Sequence, residues 1–368
     1  MHTISSTALQ HAARVHWIAG AVVALAGLLV LFELIAFAKQ RSRARANVVP
    51  RAKVTEPRPE PLIISRPRTP VAAESADADT LSKIPVPQVC LLCQDDVEPD
   101  EATFPHPRIL IVARGDSDAG RKRAGNEDSL LMLPEHSVFA VADGMGGYHG
   151  GKVASSLAVD TLKEAFDRTA FSDDFQSDTP IPRRGRELAS ALVQANRAVY
   201  HAARSEPDLA EMGTTLVAAR FSPDKRRVYV GHVGDSRCYR FRGSRLTQLT
   251  TDHTMRHLGL DGPHANDLFR AVGIEQNVVI DLVIDMPRSE DIYLLCSDGL
   301  PKMVSHESIE EALQKESDVE AAVYRLIELA NDAGGRDNVT VIIVRVREAA
   351  RERERIERAQ VTNQQPQA

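Results

Sequence analysis

The chain has 368 residues, of which 43% are hydrophobic and 26% are charged, the composition of an ordinary globular protein. These values exclude a wholly disordered chain and a collagen-like repeat, and four cysteines are too few for a disulfide scaffold. The formal net charge of −6 provides no overall positive field, so we expect no nucleic-acid partner.

The N-terminal region contains one long apolar stretch. Residues 1–16 form a short tail, and residues 17–38 follow with Glu33 as their one ionisable side chain. At about 1.5 Å per residue, a helix over 17–38 crosses the ~30 Å hydrocarbon core of a bilayer. Four cationic residues follow the stretch and only Arg14 precedes it, and cationic flanks stay in the cytoplasm. The pattern predicts a transmembrane helix in the cell (inner) membrane with everything after it cytoplasmic; a buried helix or a cleaved signal peptide is the alternative.

Residues 39–107 are rich in proline and separate their charges. Residues 50–107 hold 11 of the 20 prolines, and a basic half (39–68) precedes an acidic half (74–101). Such a stretch buries too little apolar surface to offset its ordering entropy, so we expect a disordered linker. The basic half would either lie on anionic lipid headgroups or be merely solvated. Cys90 and Cys93 have the spacing of half a zinc site, so two ordinary thiols and a shared metal or redox role both stay open.

The globular part spans residues 108–347, before a charged C-terminal tail at 348–368. Runs rich in β-branched and aromatic residues predict strands at 108–115, 129–133, 137–142, 214–221, 227–234, 237–242, 278–285, 291–296 and 338–347. Helical patterns fall at 150–169, 185–204, 305–315 and 318–333, the last with a capping box of Ser317 and Glu320. Because the strands cluster in runs, we expect an α+β fold, a sandwich of two antiparallel sheets flanked by helices.

Aspartates recur at the ends of the predicted strands. They are Asp128, Asp143, Asp235, Asp298 and Asp337. Each alone is an ordinary turn residue. If they converge at the edge of a core, the carboxylates repel each other and are costly to desolvate unless a cation neutralises them. Oxygen ligands without His or Cys suit Mg²⁺ or Mn²⁺ rather than zinc, and two such ions can activate water and hold a phosphoryl group.

Seven sequence pieces carry a family resemblance. In order they are SDAGRKRAGNEDS (117–129), VADGMGG (141–147), MGTTLVAA (212–219), GHVGDSRCYR (231–240), LTTDHT (249–254), LLCSDGL (294–300) and GGRDNVTVIIV (334–344). In wording and order they resemble the metal-dependent protein phosphatases, the PP2C (PPM) family of Ser/Thr phosphatases, in its bacterial form. The resemblance covers nearly the whole globular part and reaches neither residues 1–107 nor the tail. It implies the PP2C-like sandwich of two antiparallel sheets between helical layers.

The resemblance implies a centre of two Mn²⁺ or Mg²⁺ ions. Asp143 would bridge the two metals, and Gly144 would lend its carbonyl oxygen to one of them. Asp298 and Asp337 would complete the second metal. The resemblance therefore implies that these aspartates are catalytic residues.

Four further residues receive roles from the same resemblance. Asp128 would act from outside the ligand set by holding metal-bound water, and Asp235 would bind a third, weaker metal shared with Asp298. Arg123 would grip the substrate phosphate, with the adjacent Arg121 and Lys122 as its rivals. Asn338 would orient ligands beside Asp337.

The glycine-rich loop departs from the family pattern. Tyr148 stands where bacterial relatives usually have His and Lys152 where they have Glu, which puts in doubt the hydrogen bonding and local charge beside the site. Met145 replaces the His that eukaryotic members use as a candidate general acid, and His149 is either that acid or a surface residue. Residues 253–275 would form a mobile flap, with side chains that either read substrate sequence or face solvent: Arg256, His257, His264 and Arg270.

The function implied is a protein Ser/Thr phosphatase that hydrolyses phosphoserine and phosphothreonine by direct attack of a metal-bridging hydroxide. Phosphoproteins, a cognate Ser/Thr kinase and its substrates would be its partners. A pseudo-phosphatase that only binds phosphoproteins would be expected to lack a metal aspartate, and all are present. A hydrolase of small phosphoesters with the same fold stays open, because an acidic core does not recognise the leaving group.

Overall fold

The computed structural model describes residues 87–94, 109–146, 149–172 and 175–350. The predicted transmembrane segment at 17–38, most of the predicted linker and the tail beyond 350 lie outside these ranges. Among the helices that the described ranges contain, none combines the length and the apolar character needed to cross a bilayer.

The described residues form a sandwich of two sheets. The first has seven strands: β1 (Gln88–Gln94), β3 (Asp128–Leu133), β4 (Val138–Met145), β5 (Gly213–Thr214), β6 (Leu216–Phe221), β7 (Val228–Val233) and β10 (Val279–Asp285). The second has five: β2 (Ile109–Asp118), β8 (Arg237–Arg242), β9 (Arg245–Gln248), β11 (Ile292–Cys296) and β12 (Val339–Glu348). The strand orders are β1-β10-β7-β6-β4-β3, with β5 on β4, and β2-β12-β11-β8-β9. Every pairing is antiparallel except β1 with β10.

Helices cover the outer face of each sheet, which confirms the predicted layers. α1 (Gly150–Asp167) and α2 (Arg183–Ser205) pack on the first sheet. α3 (Gly299–Met303), α4 (His306–Lys315) and α5 (Val319–Asp332) pack on the second sheet. The predicted capping box of α5 is wrong: Asp318, not Ser317, caps the helix and accepts hydrogen bonds from the N–H groups of Glu320 and Ala321, both at 3.0 Å.

The core between the sheets is apolar and aromatic. Phe139 of β4, Phe221 of β6 and Tyr293 of β11 are almost completely buried there, with the Phe221 and Tyr293 rings edge-on at 5.4 Å. Alternate residues of β4 face the helices instead, so both faces of the strand are covered. Because apolar side chains fill the space between the sheets, the aspartates near the strand ends lie at the edge of this core.

Two strands were missed by the sequence analysis. Gln88–Gln94 lies in the predicted disordered linker, but it forms the edge strand β1 and pairs in parallel with β10, Cys90 opposite Asp281. The prediction of a disordered linker is therefore wrong for Gln88–Gln94. The other missed strand, β9, pairs with β8. Both are short edge strands whose pairing partner, rather than their own composition, determines that they form.

Candidate metal centre

An acidic cavity of about 280 Å³ lies at one end of the sandwich. It is lined by seven of the eight site residues predicted from the sequence: Arg123, Asp143, Gly144, Asp235, Asp298, Asp337 and Asn338. The eighth, Asp128, is buried behind the lining, directly opposite Asp143 in the pairing of β3 with β4. The tertiary structure thus brings together aspartates from both sheets.

Asp128 and Asp143 form a cross-strand pair of like charges, an arrangement that destabilises a sheet. Burial and neighbouring carboxylates, Asp298 among them, raise the pKa of both, to about 6 for Asp128 and well above the usual range for Asp143. Thr340 donates a hydrogen bond of 2.7 Å to Oδ2 of Asp128. Oδ1 of Asp128 is buried and accepts no hydrogen bond from the described residues.

The backbone around Asp143 is held by two threonines. The N–H of Asp143 donates to Oγ1 of Thr215 at 3.0 Å, and its carbonyl accepts from the Thr215 N–H and the Thr214 hydroxyl, each at 2.9 Å. The next residue, Gly144, has no room for a side chain, because a Cβ atom there would lie 2.0 Å from the carbonyl oxygen of Gly151. The end of β4 is therefore fixed in position before any ion binds.

Asp298 enters the cavity from the second sheet, between the end of β11 and the start of α3. Its neighbour Gly299 passes so close to β12 that a Cβ atom would lie 1.9 Å from the carbonyl oxygen of Asn338. Oδ1 of Asp298 is buried and accepts no hydrogen bond from the described residues. Oδ2 pairs with the ammonium group of Lys302, a residue that the sequence analysis did not single out.

Asp337 lies just before β12 and faces a cation across the cavity. Its Oδ1 accepts from Nη2 of Arg123 at 2.8 Å and from the Asn338 N–H at 3.1 Å. Arg121, the main rival of Arg123, points away and donates from Nε to the carbonyl of Asn331 at 3.0 Å. Of the three consecutive cations, only Arg123 lines the cavity.

The Asn338 side chain fixes the loop that carries Arg123. Its Nδ2 donates to the carbonyls of Ala119 and Gly125, both at 2.9 Å, and its Oδ1 accepts from the Glu127 N–H at 2.9 Å. Asn338 thus joins the start of β12 to the loop and positions Arg123, which is a supporting role.

Asp235 occupies the turn that carries the chain from β7 in the first sheet to β8 in the second. Gly234 before it has φ +104°, a conformation that favours glycine. The Ser236 hydroxyl lies 2.7 Å from Oγ1 of Thr215 and ties the turn to the first sheet. Burial and the nearby Asp298 raise the pKa of Asp235 to about 7.

A buried cluster of acid and histidine side chains is formed by His232, His253 and Asp281. Its hydrogen bonds show that it is not arranged as a metal site. Nδ1 of His253 accepts a hydrogen bond of 3.0 Å from the Gly234 N–H, so its proton is on Nε2, which donates to Asp281 at 3.0 Å. A nitrogen that carries a proton cannot bind a metal. Arg270 donates to the other oxygen of Asp281 at 2.8 Å, so the alternative in which it simply faces solvent is wrong.

The departures in the glycine-rich loop have different structural outcomes. Lys152 donates to the carbonyl of Asp128 at 2.7 Å and to Oγ of Ser129 at 3.1 Å, so it supports the strand of the buried aspartate. His149 is exposed and is not among the residues that line the cavity, whereas Met145 is. Tyr148 lies outside the described residues.

The donor set fits hard divalent cations. The cavity presents aspartate oxygens from both sheets and no histidine or cysteine, and two of the buried aspartate oxygens have no hydrogen-bond partner among the described residues. Burial first, and neighbouring carboxylates second, raise the pKa values of Asp128, Asp143 and Asp235, and divalent ions would neutralise their ionised forms. Asp143, Gly144, Asp298 and Asp337 line this cavity and are the residues that would hold Mn²⁺ or Mg²⁺.

The comparisons with known proteins agree on one family. The Protein phosphatase 2C family model matches residues 114–341. Serine/threonine phosphatase stp of Listeria monocytogenes is 35% identical over 243 residues, covering 62% of this chain and 93% of that protein. Serine/threonine protein phosphatase PstP of Mycobacterium tuberculosis is 39% identical over 252 residues, covering 65% of this chain and 46% of that one. The structure of the PstP catalytic domain with two manganese ions is similar with a TM-score of 0.55 and 39% identity, covering 65% of this chain and 99% of that chain.

Proposed function

This chain belongs to the protein phosphatase 2C family, and from that premise we propose that it is a metal-dependent protein Ser/Thr phosphatase. The observation that carries the proposal is the convergence of Asp143, Asp298 and Asp337 from two sheets on one cavity, with Arg123 at its margin. All the metal aspartates are present, which argues against a pseudo-phosphatase.

The residues of the cavity divide the work of hydrolysis. Two ions held by Asp143, Gly144, Asp298 and Asp337 would activate water and neutralise phosphoryl oxygens. Arg123, with its side chain 52% exposed, can leave Asp337 and hold two phosphoryl oxygens in its rigid fork. Among the described residues, no serine, cysteine or histidine lines the cavity, so direct attack of water on phosphorus would need no covalent intermediate on a side chain of these types.

The surface next to the cavity favours a protein substrate over a small phosphoester. A second cavity of about 570 Å³, lined by residues of the flap (253–275), shares Met145, Asn266 and Leu268 with the acidic cavity. Its lining includes Ile274, Val278 and Val279, so it offers apolar space beside the phosphate site. A polypeptide that carries a phosphoserine or phosphothreonine can extend into this space. A small phosphoester is too short to gain contacts there.

Turnover of a phosphothreonine peptide by the full chain tests the proposal. We expect hydrolysis with Mn²⁺ or Mg²⁺, loss of activity in EDTA, and slower turnover of nucleotides at equal concentration. A chain that prefers nucleotides would be a small-molecule phosphatase. A chain that binds the peptide without hydrolysing it would be a pseudo-phosphatase.

We also propose that residues 17–38 anchor the protein in the cell membrane with the catalytic domain in the cytoplasm. The apolar run and the cationic residues after it support this topology. Reporter fusions after residue 110 are expected to be active as a cytoplasmic reporter and silent as an exported one. The reverse result, or a mature N-terminus at Lys39, contradicts it.

The proposed partners are phosphoproteins, including a cognate Ser/Thr kinase and its substrates. A phosphatase whose products are ordinary serine and threonine residues requires a kinase to supply its substrate. Phosphoproteomics of a strain that carries Asp298→Asn identifies these partners as the sites whose occupancy rises. Unchanged occupancy throughout the proteome would exclude this role.

A further inference from the structure

The ammonium group of Lys302 lies inside the acidic cavity. Lys302 is on α3, four residues after Asp298, so the helix places the two side chains on the same face. Its Nζ donates to Oδ2 of Asp298. Lys302 and Asp235 both line the cavity, together with Asp298.

The two oxygens of Asp298 have different partners. Oδ2 is occupied by Lys302, whereas Oδ1 is buried and accepts no hydrogen bond from the described residues. Asp298 can therefore present Oδ1 to a metal ion while Oδ2 remains with the ammonium group. One carboxylate then serves a metal on one side and a fixed cation on the other.

Lys302 is also the cationic side chain of the cavity lining that can balance the charge of Asp235. The cavity lining contains two cationic residues, and the other, Arg123, pairs with Asp337. Lys302 contacts Asp298 and lines the same cavity as Asp235. Asp235 and Asp298, here called the Asp235–Asp298 pair, therefore share one built-in positive charge.

We propose that the Lys302 ammonium is the resident counter-cation of the Asp235–Asp298 pair and takes the place of a third metal ion in this chain. The proposal rests on the two-metal centre of the proposed function. An ammonium held by its own helix is always present at the pair, whereas a weakly bound ion must be recruited from solution. It also repels a divalent cation that approaches the same carboxylate oxygens.

Manganese stoichiometry of the full chain tests the proposal without reference to activity. We expect equilibrium dialysis against Mn²⁺ up to millimolar concentration to give two ions per chain. Lys302→Met is expected to bind a third ion, at least about tenfold more tightly than any further ion bound by the wild type. The double variant Lys302→Met/Asp235→Asn is expected to return to two ions, because the pair has lost one of its carboxylates.

A matched control separates Lys302 from surface charge in general. Lys315 pairs with Glu311 four residues earlier, as Lys302 does with Asp298, but both side chains of the Lys315–Glu311 pair are exposed. Lys315→Met is expected to bind two ions, as is Lys302→Arg, which keeps the charge. Lys302→Gln repeats the test if the methionine variant does not fold.

The outcomes distinguish this proposal from the function on which it rests. A wild-type chain that binds three ions, or a Lys302→Met chain that still binds two, overturns the role of Lys302 alone. A wild-type chain that binds no manganese overturns the two-metal function and this inference together.

Discussion

The two ends of β11 bury aspartates in opposite electrostatic settings. Asp291 precedes the strand and Asp298 follows it. At the first end, here called the arginine end, Asp291 accepts two hydrogen bonds from Arg242, at 2.8 and 2.6 Å, and Asp285 accepts from Arg240 at 2.6 Å. At the other end, here called the acidic end, Asp128 and Asp143 oppose each other with no cationic side chain paired to either in the described residues.

The comparison of the two ends shows that a buried carboxylate has a different role with and without a fixed cationic partner. An aspartate with a fixed arginine is neutralised by the fold itself, so it locks the fold and has no capacity left for a ligand. Aspartates with buried, unpartnered oxygens in the described residues carry a negative charge that either a proton or an exchangeable cation must neutralise, and their raised pKa values reflect that cost. One sandwich thus uses the same residue type for structure at one end and for chemistry at the other.

Neutralising the acidic end gives the largest expected effect. Asp143→Asn is expected to reduce phosphopeptide hydrolysis by about a thousandfold or more, because the variant loses a carboxylate that would hold the ions. The same variant without metal is expected to melt a few degrees higher than the wild type, because one member of a repelling pair is removed. Activity that persists in the variant or in EDTA would contradict the two-metal centre.

Neutralising the arginine end is expected to have the reverse pattern. Asp291→Asn is expected to lower the free energy of unfolding by about 2–4 kcal/mol, because Arg242 loses its buried partner but is itself 24% exposed. Turnover per folded molecule in Mn²⁺ should not change. Denaturant unfolding and active-site titration measure the two quantities. Arg114→Ala, which removes an exposed pair with Glu320, is the control and should shift stability by less than about 0.5 kcal/mol.

Arg123 sharpens the comparison, because it is an arginine at the acidic end. Arg123→Ala is expected to raise KM and to reduce kcat/KM by about tenfold to a thousandfold, the loss of one charge-assisted contact of ~1.5–4 kcal/mol. Arg123→Lys should restore only part, because the charge returns without the fork. Arg121→Ala and Lys122→Ala should change little. Equal losses at all three positions would show that another cation holds the phosphate.

The acidic end should also respond to pH in a way that metal reverses. The folded pKa values of Asp128 (about 6) and Asp235 (about 7) lie above the ordinary value of 3.8. Their contribution to the stability of the metal-free protein is therefore complete below pH ~4 and is lost as pH rises through ~6–7. The melting temperature gained on adding Mn²⁺ should grow over the same range, because ions bind the ionised carboxylates.

A variant tests the origin of this pH dependence. Asp128→Asn is expected to flatten the loss of stability of the metal-free protein between pH 4 and 7. A slope that is unchanged in this variant would place the titrating group elsewhere. Melting curves in EDTA and in saturating Mn²⁺, taken at each pH, provide both comparisons.

The sequence was sufficient to find the acidic end because its signals are local. Each metal aspartate lies directly beside a short apolar strand, and strand and turn propensities act within a few residues. The predicted layers and the aspartates at the strand ends follow from those signals, whereas Arg123, Gly144 and Asn338 were predicted from the family resemblance. Asp128 was also predicted, but its position behind the lining depends on the β3–β4 register.

One error arose where a distant partner overrides local composition, and another arose from the local backbone at a helix cap. Gln88–Gln94 reads as linker because its surroundings are rich in proline and charge, yet β10 provides an edge on which it forms β1. Asp318 rather than Ser317 caps α5, a shift of one residue that the backbone conformation at the cap decides.

By itself, the sequence determined which residue types stand at the strand ends, and therefore the family and the oxygen-only chemistry. The tertiary structure decided how those groups are paired. Asp128 lies opposite Asp143, and Asp291 pairs with Arg242. Asp298 pairs with Lys302 through Oδ2, while its Oδ1 has no hydrogen-bond partner in the described residues. The reason is physical. Backbone propensity acts within a few residues, whereas burial and Coulombic interaction depend on distances in space that only the packed sheets fix.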